Sequence, residues 1–277
     1  MIKINNTYNI ECYAKYLYKP KNVEELEKKL AYLKENNIEW YVLGSGSNVI
    51  LPDTPFNGAI ISLQDMNSYS INKDLVFAYA GINLNTFIMN LINLGYTNLA
   101  KLYGIPGMLG GAIYGNAGAN NKDIFSDLVS VLVYDTSLKT LNKESITYGY
   151  RTTSFKNTKA IILGATFKLE KGDKEEALNT IKGNMKIRRE KQPLELPNAG
   201  SVFKNPSNCS AGRLIDECNL KGLGVNDACI SMKHANFIVN IGHATSKDIK
   251  TLIKKVQEEV KKQKNIDLEL EQVIVEW

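Results

Sequence analysis

The chain of 277 residues carries 34 Lys and Arg against 29 Asp and Glu, a formal net charge of +5, and is 44% hydrophobic and 23% charged. Such a length makes one large domain or two ordinary ones, and the composition excludes a disordered, collagenous or disulfide-stapled chain. The mild positive balance suits an anionic small ligand as well as nucleic acid and does not choose between them. No apolar run approaches the ~18 residues of a membrane span, and the opening residues lack a basic stretch followed by an apolar one, so no membrane partner and a cytoplasmic location are expected. Cys12, Cys209, Cys218 and Cys229 form no Cys-x-x-Cys pair, and only His234 and His243 could join them as soft ligands. No metal site is expected, and the thiols read as free, partly buried side chains.

In chain order, Asn22 with Glu25 three residues on forms a capping arrangement before Val23, Leu26, Leu30 and Leu33, which predicts a helix over residues 22 to 36. The β-prone run 40 to 43 breaks at Gly44-Ser45-Gly46-Ser47-Asn48 and resumes at 49 to 51, giving strand, tight loop, strand. A dinucleotide-binding Rossmann turn needs GxGxxG opening a helix, whereas the third glycine position here is Val49 and no helix follows. Residues 75 to 80 read as a strand, and 84 to 94 as a helix stopped by Gly95. The stretch 104 to 119 is then far richer in glycine than its surroundings, too rich for an ordinary core element, and implies positive φ or close approach of backbone to something flat or charged. Short β-rich runs follow at 128 to 134 and 161 to 169. A charged helix over 174 to 190 leads to Lys191-Gln192-Pro193-Leu194-Glu195-Leu196-Pro197, where two prolines mark a boundary. The last third holds a short helix from Ser210 and a long one opened by Ser246. In the long helix, Ile249, Leu252, Ile253, Val256 and Val260 share an apolar face, the pattern of a packing helix and not of a nucleic-acid reader.

The two glycine-rich loops offer rows of backbone N–H groups that can hold an anion without contributing charge. With no GxxxxGK[ST] run in the chain, a triphosphate on Mg²⁺ is poorly supported, and a dinucleotide such as FAD fits better. Seven segments in order carry a more specific resemblance: Leu-Gly-Ser-Gly-Ser-Asn (43 to 48); Gly-Ile-Pro-Gly-Met-Leu-Gly-Gly-Ala (104 to 112) with Asn116-Ala117-Gly118-Ala119; Tyr150-Arg151 followed by Ser154-Phe155; Lys191-Gln192-Pro193; Gly200-Ser201-Val202-Phe203-Lys204-Asn205-Pro206; Ala211-Gly212-Arg213-Leu214-Ile215; and His234-Ala235-Asn236-Phe237-Ile238-Val239-Asn240. Together, across nearly the whole chain, they resemble the UDP-N-acetylenolpyruvoylglucosamine reductase family.

The resemblance implies an α+β fold: an FAD-binding domain of the vanillyl-alcohol-oxidase (PCMH) type in two lobes over residues 1 to 180, then a substrate-binding α+β domain over 181 to 277. It implies non-covalent FAD, held by Gly44, Ser45, Gly46, Ser47, Asn48, Gly104, Ile105, Pro106, Gly107, Gly110, Gly111, Ala112, Asn116, Ala117 and Gly118. NADPH is the implied reductant and UDP-N-acetylglucosamine enolpyruvate the implied substrate, in a ping-pong cycle of cell-wall precursor synthesis carried out by a monomer. Hydride delivery to C3 of the enolpyruvyl group puts negative charge on C2 and the carboxylate, so the site needs a cation and a proton source. The family pattern assigns Arg151 to the developing enolate, Ser201 to proton delivery at C2, and Glu271, in Leu268-Glu269-Leu270-Glu271, as the third catalytic group. Arg188, Lys191 and Asn205 match positions contacting the UDP moiety, and His234 and Asn236 match the same face of the site.

The chain departs from the family pattern at several points. Ser45 stands in a usual run of three glycines, Gly115 replaces a common methionine, Asn120-Asn121 a common Tyr-Gly, Asn226-Asp227 a Gly-Gly pair, and Gln272 the usual valine. Only about 50 residues separate Arg151 from Ser201, which resembles the shorter form lacking an inserted substrate-capping loop. Two other readings stand beside the reductase. One is an FAD oxidase of the same flavin-binding fold, whose members often tether FAD through His or Cys. The other is a non-enzymatic module binding a nucleotide sugar or nucleic acid, which would need Lys and Arg clustered with aromatics.

Overall fold

A computed structural model describes all residues, 1 to 277, and divides into two compact units. One comprises residues 17–44 and 58–185; the other gathers 1–16, 45–57 and 186–277. The chain passes between them at residues 185 and 186, near the Pro-flanked boundary, but also at three earlier points, so two short N-terminal segments pack with the C-terminal third. No helix is long and apolar enough to cross a membrane.

In the first unit, helix α1 (Val23–Glu35) starts where Asn22 accepts a hydrogen bond from the Glu25 amide at 2.9 Å, and it buries Leu26, Leu30 and Leu33. A five-stranded antiparallel sheet runs in the order Ser137–Asn142, Leu128–Asp135, Ile161–Lys168, Leu75–Tyr79, Tyr69–Asn72. Its central strand is buried along almost its whole length, as the continuous apolar run Ile161-Ile162-Leu163-Gly164-Ala165 demands. Glycine is required at 164 because a Cβ there would lie 2.6 Å from Phe77 Cζ. Helix α2 (Leu84–Asn93) covers this sheet through Phe87, whose ring meets Tyr69 edge-on at 5.7 Å and Phe167 at 6.3 Å. Apart from the sheet, Trp40–Val42 pairs in parallel with the end of Phe56–Ile61.

The glycine-rich stretch corrects one expectation, because it does contain a core element. Helix α3 (Leu109–Tyr114) buries Leu109, Ala112 and Ile113. Gly110 makes this possible: a Cβ there would lie 2.9 Å from Ala80 Cβ, so glycine lets the helix sit directly on the strand end. Helix α4 (Lys174–Lys191) is charged and buries only Ala177 and Ile181.

The second unit is built on helix α6 (Ser246–Lys264). Ile249, Leu252, Ile253, Val256 and Val260 are all buried, against Leu214 and Ile215 of helix α5 (Ala211–Glu217), against Ala228 and Ile230, and against Tyr8, Ile10 and Ile50 from the N-terminal segments. Each such side chain contributes ~1.5–3 kcal/mol on burial. Thr245 and Asp248 form a reciprocal capping box at the start of α6, and the Asp53 carboxylate accepts from the Ser246 and Lys247 amides at 2.5 and 2.9 Å. Strands Gly224–Val225, Ala228–Ile230 and Ile238–Asn240 form an antiparallel sheet beside it. In the first hairpin turn, Asn226 takes φ +49 where the family commonly has glycine, and its amide donates to Asp248 at 2.7 Å. Asp227 accepts from the His243 amide at 2.7 Å, so both departures tie the hairpin to the start of α6.

Candidate functional site

The segment from Ala199 to Asn205 carries most of the site in the C-terminal unit. Asn236, only 3% exposed, brackets it: its Oδ1 accepts from the Phe203 amide at 2.9 Å and its Nδ2 donates to the Phe203 carbonyl at 2.8 Å, while its own carbonyl accepts from the Val202 amide. On the other side, the Glu271 amide donates to the Val202 carbonyl at 2.9 Å and the Lys204 amide to the Glu269 carbonyl at 2.8 Å. Ser201 and Glu271 therefore lie on adjoining backbone segments. The Asn48 amide donates to the Glu271 carbonyl at 3.1 Å and fixes this strand from a third direction. Replacing Asn236 with leucine leaves a buried N–H and a buried C=O unpaired, so unfolding in urea should show a loss of about 2–4 kcal/mol.

Beside the segment opens a cleft of about 550 Å³, lined by Ser201, Asn205, His234 and Asn236 among the expected residues, and also by Arg213, Lys221 and Lys233. The three cations are paired with Glu217, Asp216 and Glu195 at 2.7, 2.7 and 3.3 Å. Such partly exposed pairs are worth ~0–1 kcal/mol and exchange readily for an anionic ligand. Of these three only Arg213 falls in one of the family-like segments, Ala211-Gly212-Arg213-Leu214-Ile215, and no spacing marks any of them for the site. Asn205 Oδ1 accepts from the Ala211 amide at 3.0 Å, which holds the start of α5 at the cleft. Gly212 lies so close to His234 that a Cβ would come within 3.3 Å of Cε1.

His234 Nδ1 accepts from the Asn236 amide at 3.2 Å, and its ring meets Phe237 edge-on. Burial lowers its pKa below the ordinary 6.5, and Lys221 pushes the same way. The unfolded chain then binds the proton more readily than the folded one, so the stabilising contribution is complete above pH 6.5 and shrinks as pH falls below it. Folding free energies measured across pH 5 to 7.5 should fall with acid less steeply for His234→Gln than for the parent chain; equal slopes would exclude this role for His234.

Arg188 and Lys191 lie in the last turn of α4. Lys191 is exposed, whereas the Arg188 guanidinium is partly buried, its Nε has no hydrogen-bond partner, and burial lowers its pKa.

In the other unit, Arg151 occupies the turn of a two-residue hairpin between Tyr148–Gly149 and Thr152–Thr153, at φ +56. Its Nη2 donates to the Gly118 carbonyl at 2.7 Å, its guanidinium lies 5.1 Å from the Tyr150 ring centre, and its carbonyl accepts from Lys156 Nζ at 2.8 Å. Thr153 Oγ1 donates to the Tyr114 carbonyl and Asn116 Nδ2 to the Gly149 carbonyl, so this hairpin is stitched to the glycine-rich stretch at three points.

The glycine-rich stretch itself folds back on α2. Gly104 (φ +96) donates to Asn85 Oδ1 at 2.6 Å, and the Gly107 carbonyl (φ +112) accepts from the Leu84 amide. Gly111, and Gly44 in the earlier loop, have normal φ and open space where a Cβ would stand, so no need of the fold itself calls for glycine there. Asn116 Oδ1 is buried with no partner. Bare backbone facing open space and an acceptor awaiting a donor fit a flavin dinucleotide. Ser45 to Asn48 belong with the C-terminal unit, where the Gly46 carbonyl accepts from Thr7 Oγ1 at 3.1 Å.

Residues 14–137 match the model of an FAD-binding domain, and residues 192–275 match the C-terminal domain of UDP-N-acetylenolpyruvoylglucosamine reductase. The protein is an FAD-containing oxidoreductase of α+β fold with an FAD-binding domain. Curated reductases of this name from Caldicellulosiruptor saccharolyticus and Carboxydothermus hydrogenoformans are 38% and 40% identical, over 98% and 96% of this chain and 88% and 89% of their own lengths. The crystal structure of the Thermus caldophilus UDP-N-acetylenolpyruvylglucosamine reductase superposes with a TM-score of 0.83, at 31% identity, over 99% of this chain and 98% of that one. The chain belongs to the UDP-N-acetylenolpyruvoylglucosamine reductase family.

Proposed function

We propose that the chain reduces UDP-N-acetylglucosamine enolpyruvate to UDP-N-acetylmuramate with NADPH as hydride donor, as a cytoplasmic monomer supplying peptidoglycan precursors and so serving cell shape and division. The observation that carries this reading is the bond from the Glu271 amide to the Val202 carbonyl, which sets Glu271 on the segment adjoining Ser201, itself part of the lining of a cleft with three displaceable cations. FAD, when bound, would supply the two-electron chemistry that couples NADPH to the enolpyruvyl group.

The residues of the chain do the rest. Gly44 to Asn48, Gly104 to Gly107, Gly110 to Ala112, and Asn116 to Gly118 would hold the cofactor, as glycine-rich backbone that a flat or anionic group can approach closely. Arg151 offers a planar, permanent charge to the enolate that develops over C2 and the carboxylate. Ser201 delivers the proton to C2, a task in which a weak acid works by position, and Glu271 completes the set of catalytic groups. Asn205, His234 and Asn236 shape the wall of the cleft, while Arg188 and Lys191 offer charge to the diphosphate. The unpartnered Nε of Arg188 supports its role.

The test is the visible spectrum of the purified protein under anaerobic conditions. Flavin absorbance should bleach with NADPH and return with the enolpyruvyl substrate. Absence of flavin after adding FAD would remove the reading, and bleaching reversed only by O₂ would replace it with the oxidase.

A further inference from the structure

Gln272 stands where the family pattern has valine, yet it is not at the surface. It is 3% exposed, and three of the four hydrogen-bonding directions of its amide are used. Its Nε2 donates to the Ala199 carbonyl at 3.0 Å and to the Gly200 carbonyl at 3.1 Å, and its Oε1 accepts from the Tyr8 hydroxyl at 2.9 Å. Tyr8 is fully buried, and its carbonyl accepts from Asn240 Nδ2 at 2.9 Å, so the phenol is itself anchored.

The two carbonyls that Gln272 grips belong to the residues immediately before Ser201. Gly200 has φ +77, a conformation from which glycine can leave easily, and its amide is held by Asn198 Oδ1 at 2.9 Å. Without the Gln272 grip, the peptide planes on either side of Gly200 could rotate and swing the Ser201 side chain. Gln272 also follows Glu271 directly in the chain. One side chain thus ties the segment of the serine to the strand of the glutamate, in addition to the Glu271 to Val202 backbone bond.

We propose that Gln272, braced by Tyr8, is a positioning residue that fixes the orientation of Ser201 relative to Glu271. The inference rests on the functional reading above, and it makes this chain dependent on a polar brace at a position where an apolar residue is usual. A valine there could only fill space, whereas the amide dictates the direction of two carbonyls, which is a requirement on angle as well as on volume.

The test uses the full-length flavoprotein with Gln272→Met, which keeps length and volume, and Tyr8→Phe, which removes one hydroxyl. Three quantities are read: flavin bleaching by NADPH, flavin return with the enolpyruvyl substrate, and hydrogen exchange at the Val202 and Phe203 amides. In Gln272→Met, bleaching should stay within about twofold of the parent, while return slows by ~10–100-fold, the scale of a misplacement near 1 Å. Exchange at Val202 and Phe203 should quicken by about tenfold with α6 unchanged. Tyr8→Phe should move the same two readouts in the same direction by a smaller factor, and it carries the test if Gln272→Met does not fold. Unchanged exchange at Val202 and Phe203, or equal slowing of both half-reactions with exchange raised throughout the unit, overturns the proposal. If the parent protein itself shows no return of flavin with the substrate, the functional reading fails, while the exchange result still decides whether Gln272 holds the segment.

Discussion

Ser201→Ala is expected to leave bleaching of the flavin by NADPH at the parent rate and to slow its return with the enolpyruvyl substrate by ~10²–10⁴-fold, the usual contribution of a positioned proton donor. Only the second half-reaction moves a proton to carbon, so only that one feels the loss. The backbone around Ser201 is held by Asn236, Glu271 and Gln272 through bonds that do not use the serine hydroxyl, so the thermal midpoint should stay near that of the parent. Stopped-flow traces of the two half-reactions check this. Equal slowing of both would remove the assigned role.

The second large effect concerns Arg151. Arg151→Gly should lower the rate of the substrate half-reaction by ~10²–10³-fold, the cost of removing one fixed stabiliser of developing negative charge. Stability should change by no more than about 2 kcal/mol, because two effects oppose each other. Glycine relieves the left-handed backbone, worth ~1–2 kcal/mol, while loss of the bond to the Gly118 carbonyl costs ~0.5–3 kcal/mol. Arg151→Lys separates charge from shape: it keeps the strain and the charge but lacks the planar fork. Urea unfolding combined with half-reaction rates checks both expectations, and a drop of several kcal/mol in Arg151→Gly would show that the arginine is chiefly structural.

The helices were legible because their signals are local. Asn22 with Glu25, the apolar spacing from Ile249 to Val260, and Gly95 after α2 act within a turn or two; α1 and α2 start and stop within two residues of the expected places, and α6 starts at Ser246 as expected. The strands Tyr13–Tyr18 and Phe56–Ile61 were missed. In the latter, Asn57-Gly58 reads as a turn, and the distant partners Tyr13–Tyr18 and Trp40–Val42 on either side make the segment extended. The stretch around Gly110 reads as irregular because propensity counts a glycine's entropy and not the Ala80 side chain it must clear. Within the site, Ser201, Asn205, His234 and Asn236 were readable as motif and do line one cleft. Gln272 looked only like a disturbance of register, since its partner Tyr8 lies 264 positions away and no spacing rule links them.

The weave of the C-terminal unit bears on how the protein is made. Val273 and Ile274 pair with Val49 and Ile50, Trp277 stacks on Phe56 at 4.7 Å, and the Trp277 indole donates to the Thr54 carbonyl, 223 positions upstream. At the ribosomal pace of ~5–20 residues per second, the early half of these contacts waits on the order of 10–45 s for the late half. During that interval Tyr8, Ile10, Ile50 and Phe56 have no core to enter, and nascent chains stalled short of the last strand should expose them to a holding chaperone. A fragment starting at residue 186 would lack Tyr8, Ile10 and Ile50 from its core altogether, so the C-terminal third cannot mature as an autonomous body and depends on residues the ribosome delivered first.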